Sequence, residues 1–242
     1  AGLPWSKKML GLFESNKNKT FMIDDTTPIT KASYVVVDTE LTGLDEKKDS
    51  IVSLGAVRMT GGSIDLGNTF YRLISPRTEL SAASVVIHEI TPSDVESKPG
   101  IDSVFGEFLD FCGDAVLVGH FISIDLSFLN RDMRRIRGTE IPNPALDTFS
   151  IYEWLRKRNK SRDCMATPLA GYRLYDIVKC FDIAVNGAHN ALMDAFTTAQ
   201  LLQRFLPLLA EAGVRDLGDL LRIGTPFKGG DNFRQTSEFG NF

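Results

Sequence analysis

Residues 35–44 read VVVDTELTGL: three valines in a row, then two carboxylates, Asp38 and Glu40, separated by a single threonine. A β-branched run of this kind forms a buried strand. Strand side chains alternate between the two faces, so Asp38 and Glu40 project from the same face as near neighbours. Adjacent anions repel, and something positive is expected between them.

Working outward, "IVSLGAVRMT" (51–60) and "IDLGNTFYRLI" (64–74) read as two further strands joined through Gly61 and Gly62, a tight hairpin signal. Ile101, Val104, Phe105, Phe108 and Leu109 fall on one face of a helix that Gly113 ends. "AVLVG" (115–119) is a short buried strand, and "SIDLSFLNRDMRRIRG" is a helix with Ser123 as its N-cap and Gly138 as its stop. Residues 145–148 form a last short strand before a helix at 149–158. Leu174, Ile177, Val178 and Phe181 mark another helix, and 190–212 a long one ending at Gly213. Strands and helices therefore alternate after an initial hairpin, which predicts an α/β chain with a mixed sheet covered by helices. Three parts are expected: an N-terminal extension (1–32), a body (33–212) and a C-terminal tail (213–242). The extension carries an apolar patch at Trp5, Met9, Leu10, Leu12 and Phe13 that suits a short amphipathic helix.

With 242 residues, 43% hydrophobic and 24% charged, the chain has the composition of a soluble globular protein with ample length for a core. No apolar run reaches the length of a membrane span, and "AGLPWSKKML" lacks the apolar block of a signal peptide. A cytoplasmic protein with no membrane attachment is expected. Cys112, Cys164 and Cys180 are odd in number and form no CxxC pair, which argues against a disulfide framework and a zinc site and predicts reduced thiols. The net charge of −4 does not advertise nucleic-acid binding. One local exception is "RKRNKSR" (156–162), basic at five of seven positions.

Two more acids complete the pattern. Asp125 falls in the first turn of the helix after "AVLVG", and Asp194 early in the long helix, with His189 on the loop just before it. Open α/β sheets build their sites at the carboxyl ends of the strands, where Asp38, Glu40 and Asp125 meet if the first and fourth strands are neighbours. Four acids without a nearby cysteine make a hard oxygen site suited to Mg²⁺ or Mn²⁺, with room for two ions. Taken singly, each residue has a blander explanation: a solvated strand end, a first-turn partner of the helix dipole, a polar residue at a helix start. His88 and His120 keep that structural explanation. Read alone, the basic run is a solvated loop.

Taken jointly, these residues resemble a known pattern. "DTELTGL" (38–44), "GHFISIDLSFL" (119–129) and "HNALMDA" (189–195) are similar to the three exonuclease motifs of the DEDDh 3′-to-5′ exonucleases, and "IHEIT" (87–91) to the segment between the first two. That superfamily includes the proofreading epsilon subunit of bacterial DNA polymerase III, ribonuclease T and oligoribonuclease, and the similarity spans residues 33–207. The resemblance implies a ribonuclease H-like fold, a mixed five-stranded sheet flanked by helices. It also implies that Asp38, Glu40, Asp125 and Asp194 bind two metal ions, that His189 is the general base, and that Thr39, Leu41 and Thr42 lie against the terminal nucleotide. The position after His120 is often Asn in the family and is Phe121 here, a departure that bears on nearby substrate contacts. The expected substrate is single-stranded or 3′-end nucleic acid, DNA ahead of RNA, processed to nucleoside 5′-monophosphates in proofreading or repair. Arg156, Lys157 and Arg158 are assigned to its backbone, and the terminal segments to a polymerase or other protein partner. An RNA exonuclease is the alternative within the class, and an inactive nucleic-acid-binding or scaffold module the alternative outside it. Such a module would have lost an acid, and all four are present. An aspartyl phosphatase would want an Asp where Glu40 stands.

Overall fold

The computed structural model describes residues 24–158, 165, 171–185, 187 and 189–226. The three valines form the middle of β1 (Ser33–Leu41) and have essentially no solvent exposure. Burying each contributes roughly 1.5–3 kcal/mol. Burial on both faces follows from a central position in the sheet, whose order is β3-β2-β1-β4-β5. β2 (Ile51–Thr60) pairs antiparallel with β1 and with β3 (Ser63–Leu73), while β4 (Val116–Gly119) pairs parallel with β1 and with β5 (Ala145–Asp147). The first and fourth strands are therefore neighbours, as the sequence pattern required.

The helices in chain order are α1 (Ala82–His88), α2 (Pro92–Val95), α3 (Ile101–Cys112), α4 (Ser123–Arg137), α5 (Thr148–Arg158), α6 (Leu174–Lys179), α7 (Ala191–Glu211) and α8 (Leu217–Ile223). Alternation along β1 splits the core in two. Tyr34 and Val36 pack with α5, α6, α7 and α8, whereas Val35 and Val37 pack with α3 and α4. Asp38 and Glu40 continue the even-numbered face and so point to the side of α7.

Two expectations, the Ser123 cap and the reduced Cys180, are corrected, and two further features were not signalled by the sequence pattern. Ser123 does not cap α4: the cap position is Ile122, with no side-chain bond, because the Phe121 carbonyl already receives the Ile124 amide at 2.9 Å. The register of β3 shifts between Asp65 and Thr69, so residues 66–68 have no opposite number on β2 and Leu66 is 70% exposed. Residues flanking 33–212 pack against it on both sides. Ile29 and Ala32 are buried, Tyr34 donates its hydroxyl proton to the Ile29 carbonyl, Pro28 bridges to Asp216, and Leu217 and Leu220 of α8 enter the core. These apolar residues extend the core face even though their surroundings in the sequence are polar. Finally, Cys112 is buried and free, but Cys180 is disulfide-bonded, since pairing depends on proximity in space and not on CxxC spacing. The apolar patch at Trp5–Phe13, Lys160, Arg162 and the tail from 227 lie outside the described residues. Among the described residues no helix is long and apolar enough to cross a membrane.

Candidate active site

Asp38 stands opposite Gly55 of β2. A Cβ at Gly55 would lie 2.3 Å from the Ala191 carbonyl carbon and the Leu192 nitrogen, so glycine lets the first turn of α7 rest directly on the sheet. Asn190 caps that turn, its side-chain oxygen accepting the Leu192 and Met193 amides at 3.2 and 3.3 Å. Asp194 is thereby carried to Asp38 and Glu40. Each of the three offers a carboxylate oxygen, and these oxygens all lie within 4.8 Å of one another.

Asp125, in the first turn of α4, stands beside this trio. Its Oδ1 accepts the Thr39 hydroxyl at 2.6 Å, reaching β1 from the opposite face to Asp38 and Glu40. The four acids are thus brought to the end of one strand, three in direct convergence and one held alongside. Burial is the main force on their protonation. It pushes Glu40 up to about 8, with Asp194 and Asp125 adding repulsion, and lifts Asp38 well above the usual carboxylate range, with repulsion from Asp125, Glu40 and Asp194. Burial likewise pushes Asp125 up to about 7 against the Thr39 hydrogen bond, and raises Asp194 against the Tyr175 hydroxyl. The site is short of positive charge.

His189 is exposed and adopts a left-handed backbone, φ 62°. Its amide donates to Asp194 Oδ2 at 3.1 Å and to the Tyr175 hydroxyl oxygen at 3.0 Å. Tyr175 in turn donates to Asp194 Oδ1 at 2.5 Å, and its ring meets the His189 ring edge-on, centroids 5.5 Å apart. Sequence reasoning missed Tyr175. Its partners lie 14 and 19 residues away, and its local signal is only that of a helix beginning at Leu174.

Asp147 was also missed. Fully buried at the end of β5 and pushed up to about 6 by that burial, it accepts the amides of Phe121 (3.1 Å) and Phe149 (2.9 Å) on one oxygen. It thus braces the turn in which Phe121 holds φ 54°, uncommon for an aromatic residue, and the Phe121 ring packs on His120 and Phe149. His120 is structural: Nε2 donates to the Tyr172 carbonyl, Nδ1 lies 2.9 Å from the Thr148 hydroxyl, and burial lowers it to about 4. His88 is buried and accepts the Ile90 amide on Nδ1.

The remaining expected contacts are placed unevenly. The Thr39 hydroxyl is engaged with Asp125. Thr42 is buried, donating to Asp49 and accepting the Ser50 amide, while Leu41 is partly exposed. On the last turn of α5, Arg156 is half-buried in a two-pronged pair with Glu153. Lys157 and Arg158 are exposed, with the Arg158 guanidinium 3.9 Å over the Trp154 ring.

The sequence pattern of an exonuclease family matches residues 35–202, from β1 into α7, and the chain belongs to that family. It is 33% identical over 192 residues to DNA polymerase III subunit epsilon of Aquifex aeolicus, covering 79% of this chain and 89% of that protein. It is 30% identical over 215 residues to the PolC-type DNA polymerase III of Thermotoga maritima, covering 85% of this chain but only 15% of the polymerase. Its fold is similar to that of exonuclease X, solved in complex with 5′ overhanging duplex DNA, with TM-score 0.56 and 23% identity over 79% of this chain and 99% of that one. The fold is ribonuclease H-like, with the mixed five-stranded sheet described above.

Proposed function

We propose that the chain is a 3′-to-5′ exonuclease that hydrolyses DNA to nucleoside 5′-monophosphates with two divalent cations, Mg²⁺ or Mn²⁺. The observation that carries this reading is the convergence of Asp38, Glu40 and Asp194, with Asp125 alongside, at the end of β1 in a member of an exonuclease family. The donor set fits such cations, being all carboxylate oxygen, and the mutual repulsion of Asp38 and Glu40 with their neighbours supports a positive partner there. Asp38, Glu40 and Asp194 would hold the ions and Asp125 complete the set. Bound cations supply charge stabilisation at the phosphate and make water a competent nucleophile at neutral pH.

The chain's own groups do the rest. His189, exposed beside the carboxylates, accepts the proton of the attacking water on its imidazole. Oxygen adds to phosphorus, the bond to the 3′ oxygen of the shortened strand breaks with its electron pair going to that oxygen, and the oxygen takes a proton from solvent to leave as a hydroxyl, while the His189 imidazolium returns its proton to solvent. Thr39, Leu41 and Thr42 lie against the terminal nucleotide. Lys157 and Arg158, with Arg156, hold phosphates upstream, contacts that position a strand without reading its bases. DNA is favoured by the relatives, one named a polymerase III subunit and one solved on DNA, and the first of these also supports a polymerase partner, to which the terminal segments are assigned. A digestion series tests the substrate: 5′-labelled single-stranded DNA, duplex DNA with a mismatched 3′ end, and short RNA, each with Mg²⁺ or Mn²⁺. Stepwise shortening of DNA is expected. Preference for RNA would overturn the substrate, and no shortening of any strand would overturn the activity.

A further inference from the structure

We infer that the Tyr175 hydroxyl is the positioning group that fixes His189 beside the carboxylate cluster, by bridging the His189 amide and the Asp194 carboxylate. The inference rests on the reading of His189 as the base and extends it to a residue outside the three motifs.

The geometry is a closed ring of bonds. One hydroxyl oxygen both donates to Asp194 Oδ1 (2.5 Å) and accepts the His189 amide (3.0 Å), and the same amide reaches Asp194 Oδ2 (3.1 Å). His189 needs such a hold. Its φ of 62° is unfavourable for a residue with a side chain, Gly187 two positions earlier is also left-handed at 67°, and both are exposed. Between Ile183, buried in the core, and the capped start of α7 at Asn190, the described bonds that fix the His189 backbone are those of its amide. Tyr175 is by contrast firmly placed, because Leu174, Ile177 and Val178 of the same helix are buried. The edge-on contact of the two rings then sets where the imidazole sits. Hydroxyl and ring together turn a loop residue into one with a defined distance to the cluster, which is what proton transfer requires.

The test is Tyr175→Phe, which keeps the ring and removes only the bridge. In metal-free protein, hydrogen–deuterium exchange of the segment holding the His189 amide should accelerate about tenfold while the β1 amides stay unchanged. The β1 amides in the same sample report any general loosening. On single-stranded DNA, kcat should fall about tenfold with KM within about twofold. In a His189→Ala background the same change should alter kcat by less than about twofold, because the group it positions is gone. Unchanged exchange, wild-type kcat, or an undiminished loss in the His189→Ala background would each overturn the inference. A wild-type protein without metal-dependent hydrolysis would instead overturn the exonuclease reading, and the exchange measurement would still decide the bridge.

Discussion

Asp38 and Glu40 carry ionisation energetics opposite to those of a surface acid. Unfolded, they titrate near 4, about the ordinary carboxylate value. Folded, burial raises all four acids, Asp125 to about 7 and Glu40 to about 8, with repulsion from the cluster adding at Asp38 and Glu40. A raised carboxylate contributes stability that is complete below its unfolded value and is lost as pH climbs through the folded value. Metal-free protein in chelator should therefore melt at progressively lower temperature from pH 5 to pH 8, and added Mn²⁺ should restore stability most at pH 8. A flat or rising profile would contradict the cluster as described. The same reasoning separates stability from activity at one residue: Asp38→Asn should raise the melting temperature at pH 8 without metal, yet cut hydrolysis by about a thousandfold or more. His189→Ala should slow the rate by about 10²–10⁴ while leaving Mn²⁺ affinity by calorimetry near wild type. Loss of affinity equal to that of Asp194→Ala would make His189 a ligand.

At the scale of elements, the meeting of β1, β2 and α7 makes the site, and Gly55 permits it. Gly55→Ala places a Cβ within 2.3 Å of the α7 backbone, so the helix must move. Far-UV circular dichroism should stay native while hydrolysis falls about a hundredfold or more, since small misplacements of reacting groups are costly. Full activity would show that α7 has room to spare. The exposed turn of α5 has its own test. Lys157→Glu with Arg158→Glu should raise KM for a long single strand and flatten its salt dependence, yet spare a 5′-nitrophenyl nucleotide ester. Equal damage to both substrates would make the turn structural.

The elements also show what was legible in sequence. β1, the β2–β3 hairpin, β4, α3 and α7 announce themselves through period-2 or period-3.6 apolar patterns and glycine stops, because those signals encode local geometry. Asp38, Glu40, Asp125, Asp194 and His189 were legible through motif order. Gly55, Tyr175 and Asp147 were not, since each acts across the fold: Gly55 on residues 191–192, Tyr175 on Asp194, Asp147 on the amide of Phe121. A strand glycine, a helical tyrosine and a strand-end aspartate look ordinary in one dimension. Ser123 failed as a cap for a related reason: Asp147, 24 residues away, holds the turn that starts α4 one residue early.

The whole chain is acidic, net charge −4, and among its described residues Asp38, Glu40 and Asp194 converge at the site proposed to take a polyanion. The proposed pair of bound cations would reconcile those facts, so metal dependence is the central claim of the proposed function. The direct measurement is the fate of a 5′-labelled single-stranded DNA incubated with metal-stripped protein, first in excess chelator and then with Mn²⁺, beside Asp194→Ala. The expected result is an intact strand in chelator, a ladder shortening from the 3′ end with 5′-monophosphate release once Mn²⁺ is added, and no ladder from the variant. Shortening that persists in chelator, or a variant as fast as wild type, would contradict the account.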